Sequence, residues 1–132
     1  MNDPRRPELV KGWLDRARSD LQLGRVALST PGVMFEDACF HAQQSAEKSL
    51  KALLTYLDVD FPRTHVLEVL LDLLKGYGVN VPSIVDDAFE LTQYAVQTRY
   101  PGEWEPVTQE EVKIALERAS VVLNWVQSEM MR

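Results

Sequence analysis

Apolar residues recur along this chain at the three-and-four spacing of an α-helix, and nowhere do they alternate as along a half-buried strand. Leu9, Val10, Trp13, Ala17, Leu21, Gly24 and Leu28 fall on one side of a first segment. Phe35, Cys39, Ala42, Ala46, Leu50, Leu53 and Leu57 do the same in a second, from about Met34 to Leu57. Breakers separate the segments: Pro4 to Pro7, Thr30-Pro31-Gly32, Phe61-Pro62, Gly76-Tyr77-Gly78, Pro82, and Pro101-Gly102 to Pro106. A shorter helix is expected after Thr64 as N-cap, with Leu67, Leu70, Leu71 and Leu74 inward and an end at Gly76 and Gly78. The next is expected from Pro82-Ser83 to Arg99, with Ile84, Ala88, Leu91 and Ala95 inward, stopped by Pro101. The last opens on Thr108-Gln109-Glu110-Glu111, a capping box, and buries Val112, Ala115, Leu116, Ala119, Leu123 and Val126. Four long helices and one short one predict an all-α, antiparallel up-and-down four-helix bundle with one additional short helix. A single domain over residues 1–132 is expected, with residues 1–7 flexible.

Two helices carry a second apolar stripe: Ile114, Val121 and Trp125 on the last, and Val85, Phe89 and Val96 on the one before it. A monomeric bundle does not need two apolar faces per helix, so a self-association surface and a homodimer are expected.

Composition narrows the class. With 45% hydrophobic and 26% charged residues the chain is an ordinary globular protein rather than a disordered one. No apolar run reaches the ~18 residues of a membrane span, and the N-terminal arginines lead into no apolar stretch, so a cytoplasmic address is expected. A net charge of −6 argues against broad DNA binding, which rests on neutralising many phosphates, but leaves room for a local basic site. Cys39 among Ala38, Ala42 and Ala46 reads as core packing. Two histidines and one cysteine write no metal cluster, and there is no Gly-rich phosphate loop or nucleophile elbow, so neither metal nor cofactor is expected.

The candidate chemistry lies elsewhere. Asp37, His41, Gln44, Lys48, Lys51 and Thr55 form one narrow stripe on the second helix, opposite its apolar face. Pattern alone reads this as a solvated face, with Glu47–Lys51 an i,i+4 ion pair and Asp37–His41 a local contact. Arg99 continues the inward stripe of its helix at the bundle's end, and an inward Arg needs a partner. Asp20, at the edge of the first helix's apolar face, is a candidate carboxylate for a bidentate clamp, and an anion or nucleotide is the alternative. His65, in Pro62-Arg63-Thr64-His65, stands at the start of the short helix.

Trp13 through Asp20-Leu21, Gln44-x-x-Glu47-Lys48-x-x-Lys51-Ala52-Leu53-Leu54, Pro62-x-Thr64-His65-x-Leu67 and Arg99-Tyr100-Pro101 follow one another in an order that resembles the HEPN family. The resemblance covers nearly the whole chain. It implies a helical bundle, commonly dimeric, often encoded beside a minimal nucleotidyltransferase, with some members resembling RNA-cutting toxins and others linked to nucleotide binding. The RNA-cutting branch carries an Arg followed, after four to six residues, by a His. Counting from Arg99 gives Trp104, Glu105 and Pro106, and counting back from His41 and His65 meets no Arg, so that motif is absent. An Arg alone supplies charge without proton exchange.

The reading is therefore a non-catalytic HEPN-like protein that binds a nucleotide or a nucleotidyltransferase partner, in a toxin–antitoxin or stress-response module. Lys48, Lys51 and Arg99 would contact phosphate, Tyr100 would offer a stacking face, and Asp20 and His65 would orient the ligand. The alternatives are an RNA-cleaving enzyme with His65 as a displaced acid–base residue, and a structural adaptor that binds another helix.

Overall fold

The computed structural model describes residues 3–95, 102 and 105–132. It contains α1 (Arg6–Ser29), α2 (Phe35–Tyr56), α3 (Leu67–Tyr77), a single turn α4 (Ser83–Asp86) that continues as a 3₁₀ helix (Asp87–Tyr94), and α5 (Gln109–Met130). Among the described residues there is no strand. The helices pack as a bundle with α2 at its centre, against α1 on one side and α5 on the other.

Contacts fix the directions. Ser45 Oγ donates to the Ala17 carbonyl and Arg6 to the Tyr56 carbonyl, so α1 and α2 run antiparallel. Tyr56 hydroxyl donates to the Met130 carbonyl at one end and Val107 N to Glu36 at the other, so α5 runs with α2. Tyr94 bonds Glu111 and Arg118 pairs with Glu90, which makes the 3₁₀ helix antiparallel to α5. The order is up, down, up, down for α1, α2, the 83–94 segment and α5, with α3 as the additional short helix.

Local chemistry explains most of the boundaries. Thr108 Oγ1 accepts from Glu111 N at 3.0 Å and caps α5 as the capping box requires. The Glu111 carboxylate, however, accepts from Tyr94 instead of turning back on Thr108. Gly78, at φ 101°, closes α3 in the left-handed conformation that glycine adopts most cheaply. Thr64 is not the N-cap of α3: its hydroxyl accepts from Val66 N, and the helix begins at Leu67. Gly24 of α1 packs closely against α2 and α5. A Cβ there would meet Leu116 Cδ2 at 2.7 Å and the Ala38 carbonyl at 3.2 Å, so a larger residue would have to displace the Leu116 side chain and press on the α2 backbone.

The fourth segment departs most from expectation. Val85, Ala88, Leu91 and Tyr94 are buried, one at every third position, while Ile84 is 60% exposed. Three residues per turn is the 3₁₀ repeat, and it turns Val85 inward and Ile84 outward where a 3.6-residue wheel does the reverse. The second stripes thin out accordingly: Val121 and Trp125 pack against the core, Ile114 and Phe89 stay exposed, and Val96 lies outside the described residues. Leu9 is also exposed.

Candidate functional site

The α2 stripe is not a solvated face. Small residues on both helices, Ala17 and Gly24 on α1 and Ala38, Ala42 and Ala46 on α2, let the two backbones approach closely. That approach lets Ser45 reach the Ala17 carbonyl, while Gln43 and Glu47 meet His65, and Gln43, Ser45, Glu47, Ser49 and Lys51 are all buried. Burial of this kind demands partners, and every buried side-chain polar atom among the described residues has one.

Two carboxylates organise the partners. Asp20, 7% exposed on α1, accepts from His41 Nδ1 at 2.9 Å with one oxygen and from Lys48 Nζ at 2.5 Å with the other. Asp37 takes no part in that contact. Glu47, 2% exposed on α2, accepts from Lys51 Nζ at 2.9 Å, from His65 Nδ1 at 2.9 Å and from Gln43 Nε2 at 3.2 Å. Gln43 also donates to the His65 carbonyl at 3.0 Å, which fixes the backbone before α3, and Gln44 donates to Gln43 Oε1. Each carboxylate thus joins one lysine and one histidine, and each histidine has its Nδ1 committed. A histidine so held presents Nε2 to whatever lies beyond it. For His65 that is solvent, since its side chain is 68% exposed.

The two lysines differ. Lys48 keeps 21% of its side chain exposed, beside His41 and Gln44 on the outer row of α2. Lys51 is 7% exposed, and its ammonium sits 5.5 Å from the Trp13 ring and 5.9 Å from the Phe61 ring, themselves in edge-to-face contact. Lys51 is therefore placed to hold Glu47, while Lys48, bonded to Asp20, stays partly open to solvent.

Of the six residues singled out in the sequence, the structure brings Lys48 together with Asp20, and Lys51 with His65 through Glu47. Arg99 and Tyr100 lie outside the described residues. Among the described residues on either side, Tyr94 donates to Glu111 and Val107 N to Glu36. Burial and the Glu111 bond push the Tyr94 phenol well above its usual pKa, so it stays a donor. His41, Gln43 and Glu47 complete the network but were not among the six. His41 stood in the α2 stripe and Glu47 in its i,i+4 pair with Lys51, whereas Gln43 is drawn in by the His65 carbonyl, a long-range contact that no local spacing announces. Among the described residues no group of three or more His, Cys, Asp or Glu is placed to hold a metal ion. No described helix is long and apolar enough to cross a membrane.

A small bundle whose central helix buries a polar row, tied to its neighbour through carboxylates, is the class of protein this geometry defines. The family is settled by comparison: the HEPN domain model matches residues 10–129, and the chain belongs to the HEPN family. It is 28% identical to the protein named "Putative toxin MJ1304" of Methanocaldococcus jannaschii, over 87% of this chain and 84% of that one. Among solved structures it is similar to ST0689, described as an archaeal HEPN homologue, with TM-score 0.72, 30% identity, and 92% and 97% of the two chains covered. TT1696 from Thermus thermophilus gives TM-score 0.74 and 32% identity, covering 90% and 96%.

Proposed function

We propose that this protein is a non-catalytic HEPN protein that binds a nucleotide and pairs with a minimal nucleotidyltransferase, within a toxin–antitoxin or stress-response module. The observation that carries the reading is the outer row of α2, where Lys48, steadied by Asp20, offers a fixed and partly exposed cation beside His41. A preorganised ammonium of this kind suits a phosphate, because little side-chain freedom remains to be lost on binding. Arg99 supplies a second phosphate contact and Tyr100 a face for the base. His65 orients the ligand, and Lys51 acts through Glu47 to hold His65 in place. The homodimer of this reading meets through Phe89, Ile114 and Ile84, which are exposed on the 83–94 segment and α5.

The test is a panel of nucleotides and short RNAs followed by thermal shift. A ligand at about 100 times its dissociation constant stabilises the fold by about 2.7 kcal/mol. The Lys48→Ala, Arg99→Ala double variant should lose that shift. Unchanged affinity in the double variant refutes the site.

One observation favours a second reading, RNA cleavage with His65 as the acid–base residue: a buried carboxylate holds Nδ1 of an exposed ring, which frees Nε2 for proton transfer. RNA-degrading activity that disappears in His65→Ala would replace the non-catalytic reading with this one. Activity that is absent, or that persists unchanged in His65→Ala, eliminates it.

A further inference from the structure

We infer that the outer face of α3 is a docking surface for a basic amphipathic helix of another protein. α3 is apolar on two sides. Leu67, Leu70, Leu71 and Leu74 enter the core, and a second row, Val66, Val69, Leu73 and Tyr77, runs along the outside at helical spacing. Val66 is 39%, Val69 36% and Tyr77 57% exposed, while Leu73 is half-buried.

Val69, Leu73, Gly76 and Tyr77 form one wall of a groove of about 550 Å³, and Val59, on the connection after α2, stands across from them. From Val66 to Tyr77 the row is about 16 Å long, or three helical turns, the length a docked helix covers with two or three apolar side chains. Gly76 contributes no side chain, which leaves a gap between Leu73 and Tyr77 for an incoming residue to fill.

The charge around the groove selects the occupant. Asp72 lines it directly, and Asp60, exposed, follows Val59 in the chain. Of the two cations between residues 58 and 77, Arg63 and Lys75, the one that follows Asp72 on α3, Lys75, is committed to Asp86 at 2.7 Å. A second copy of this chain meeting the groove about a two-fold axis would set this acidic rim against itself, and like-charge contact disfavours that pairing. A helix with an apolar stripe bordered by lysine or arginine satisfies both the row and its rim.

The experiment titrates the isotope-labelled full chain with two synthetic helices of about 18 residues, sharing one leucine stripe. One has lysines at the bordering positions and the other glutamates. The lysine helix should bind about tenfold more tightly or better at low salt, with the gap narrowing at about 0.5 M salt. Amide shifts should concentrate at Val59, Val66, Val69, Leu73, Gly76 and Tyr77. Val69→Lys and Asp72→Lys should each weaken binding about tenfold while the melting curve stays near wild type, since both positions are exposed. Equal binding of the two helices, no binding, or shifts centred elsewhere overturns the proposal. So does self-association of the wild type that Val69→Lys abolishes, because the occupant is then a second copy.

Discussion

Replacing Glu47 by leucine should destabilise the bundle far more than its single charge suggests, and replacing Lys51 at the same time should restore most of the loss. Glu47 is 2% exposed and receives Lys51, His65 and Gln43. Its removal strands the Lys51 ammonium, 7% exposed, with only two aromatic rings at 5.5 and 5.9 Å for company. Those rings return about 0.5–2 kcal/mol. Breaking a buried pair from one side costs about 3–5 kcal/mol. The expected loss is near the lower end, about 3 kcal/mol, because the rings remain and the exposed His65 turns to water. In a domain of this length that lowers the melting temperature by roughly 10 °C. The double variant Glu47→Leu, Lys51→Met buries two apolar chains of similar volume and leaves no stranded charge, so it should fall within about 1 kcal/mol of wild type or exceed it. Urea unfolding of the four proteins in the cycle, followed by circular dichroism, gives a coupling of about 2 kcal/mol or more. Single losses that simply add in the double variant, or a Glu47→Leu loss under about 1 kcal/mol, would refute the reasoning.

Tyr94 should give stability an alkaline edge. Unfolded tyrosine loses its proton near pH 10 and folded Tyr94 keeps it well beyond, so above that pH the unfolded state binds fewer protons. Stability then falls as pH rises past about 10, by up to about 1.4 kcal/mol per unit, and Tyr94→Phe should flatten the slope measured by urea midpoints. Gly24→Ala should destabilise by about 1–2 kcal/mol in the same assay, since the overlap with Leu116 and the Ala38 carbonyl outweighs alanine's helical advantage. Should Gly24→Ala prove stabilising by about 1 kcal/mol, α1 does not approach its neighbours as closely as described.

The fold was legible wherever burial follows the 3.6-residue repeat. Leu67, Leu70, Leu71 and Leu74 of α3, the α5 stripe and the cap at Thr108 all stand where periodicity and capping chemistry place them. Legibility failed at Ile84 and Val85 for a definite reason: the wheel assumed 100° per residue where the chain turns about 120°. The site was half legible. The α2 stripe was visible, but a helical wheel ranks residues only against their own helix. It cannot show that Asp20 of α1 and His65 before α3 close on the polar residues of α2. Asp20 enters the sequence reading as the candidate partner of an inward Arg99. Arg99 lies outside the described residues, and the two Asp20 oxygens are held by His41 and Lys48, which the antiparallel register brings opposite.

The 3₁₀ helix leaves one mark on how this chain tolerates insertions and deletions. In α1 or α5, adding three residues rotates everything downstream by about 60° and takes the apolar face off the core. Between Asp87 and Tyr94 three residues complete a turn, so the same insertion would lengthen the segment by about 6 Å while Val85, Ala88, Leu91 and Tyr94 kept their common face. The one element leading into Arg99-Tyr100-Pro101 is thus the element whose length can drift in steps of three without re-phasing the bundle, and homologues that differ in the reach of that tripeptide should differ here by multiples of three.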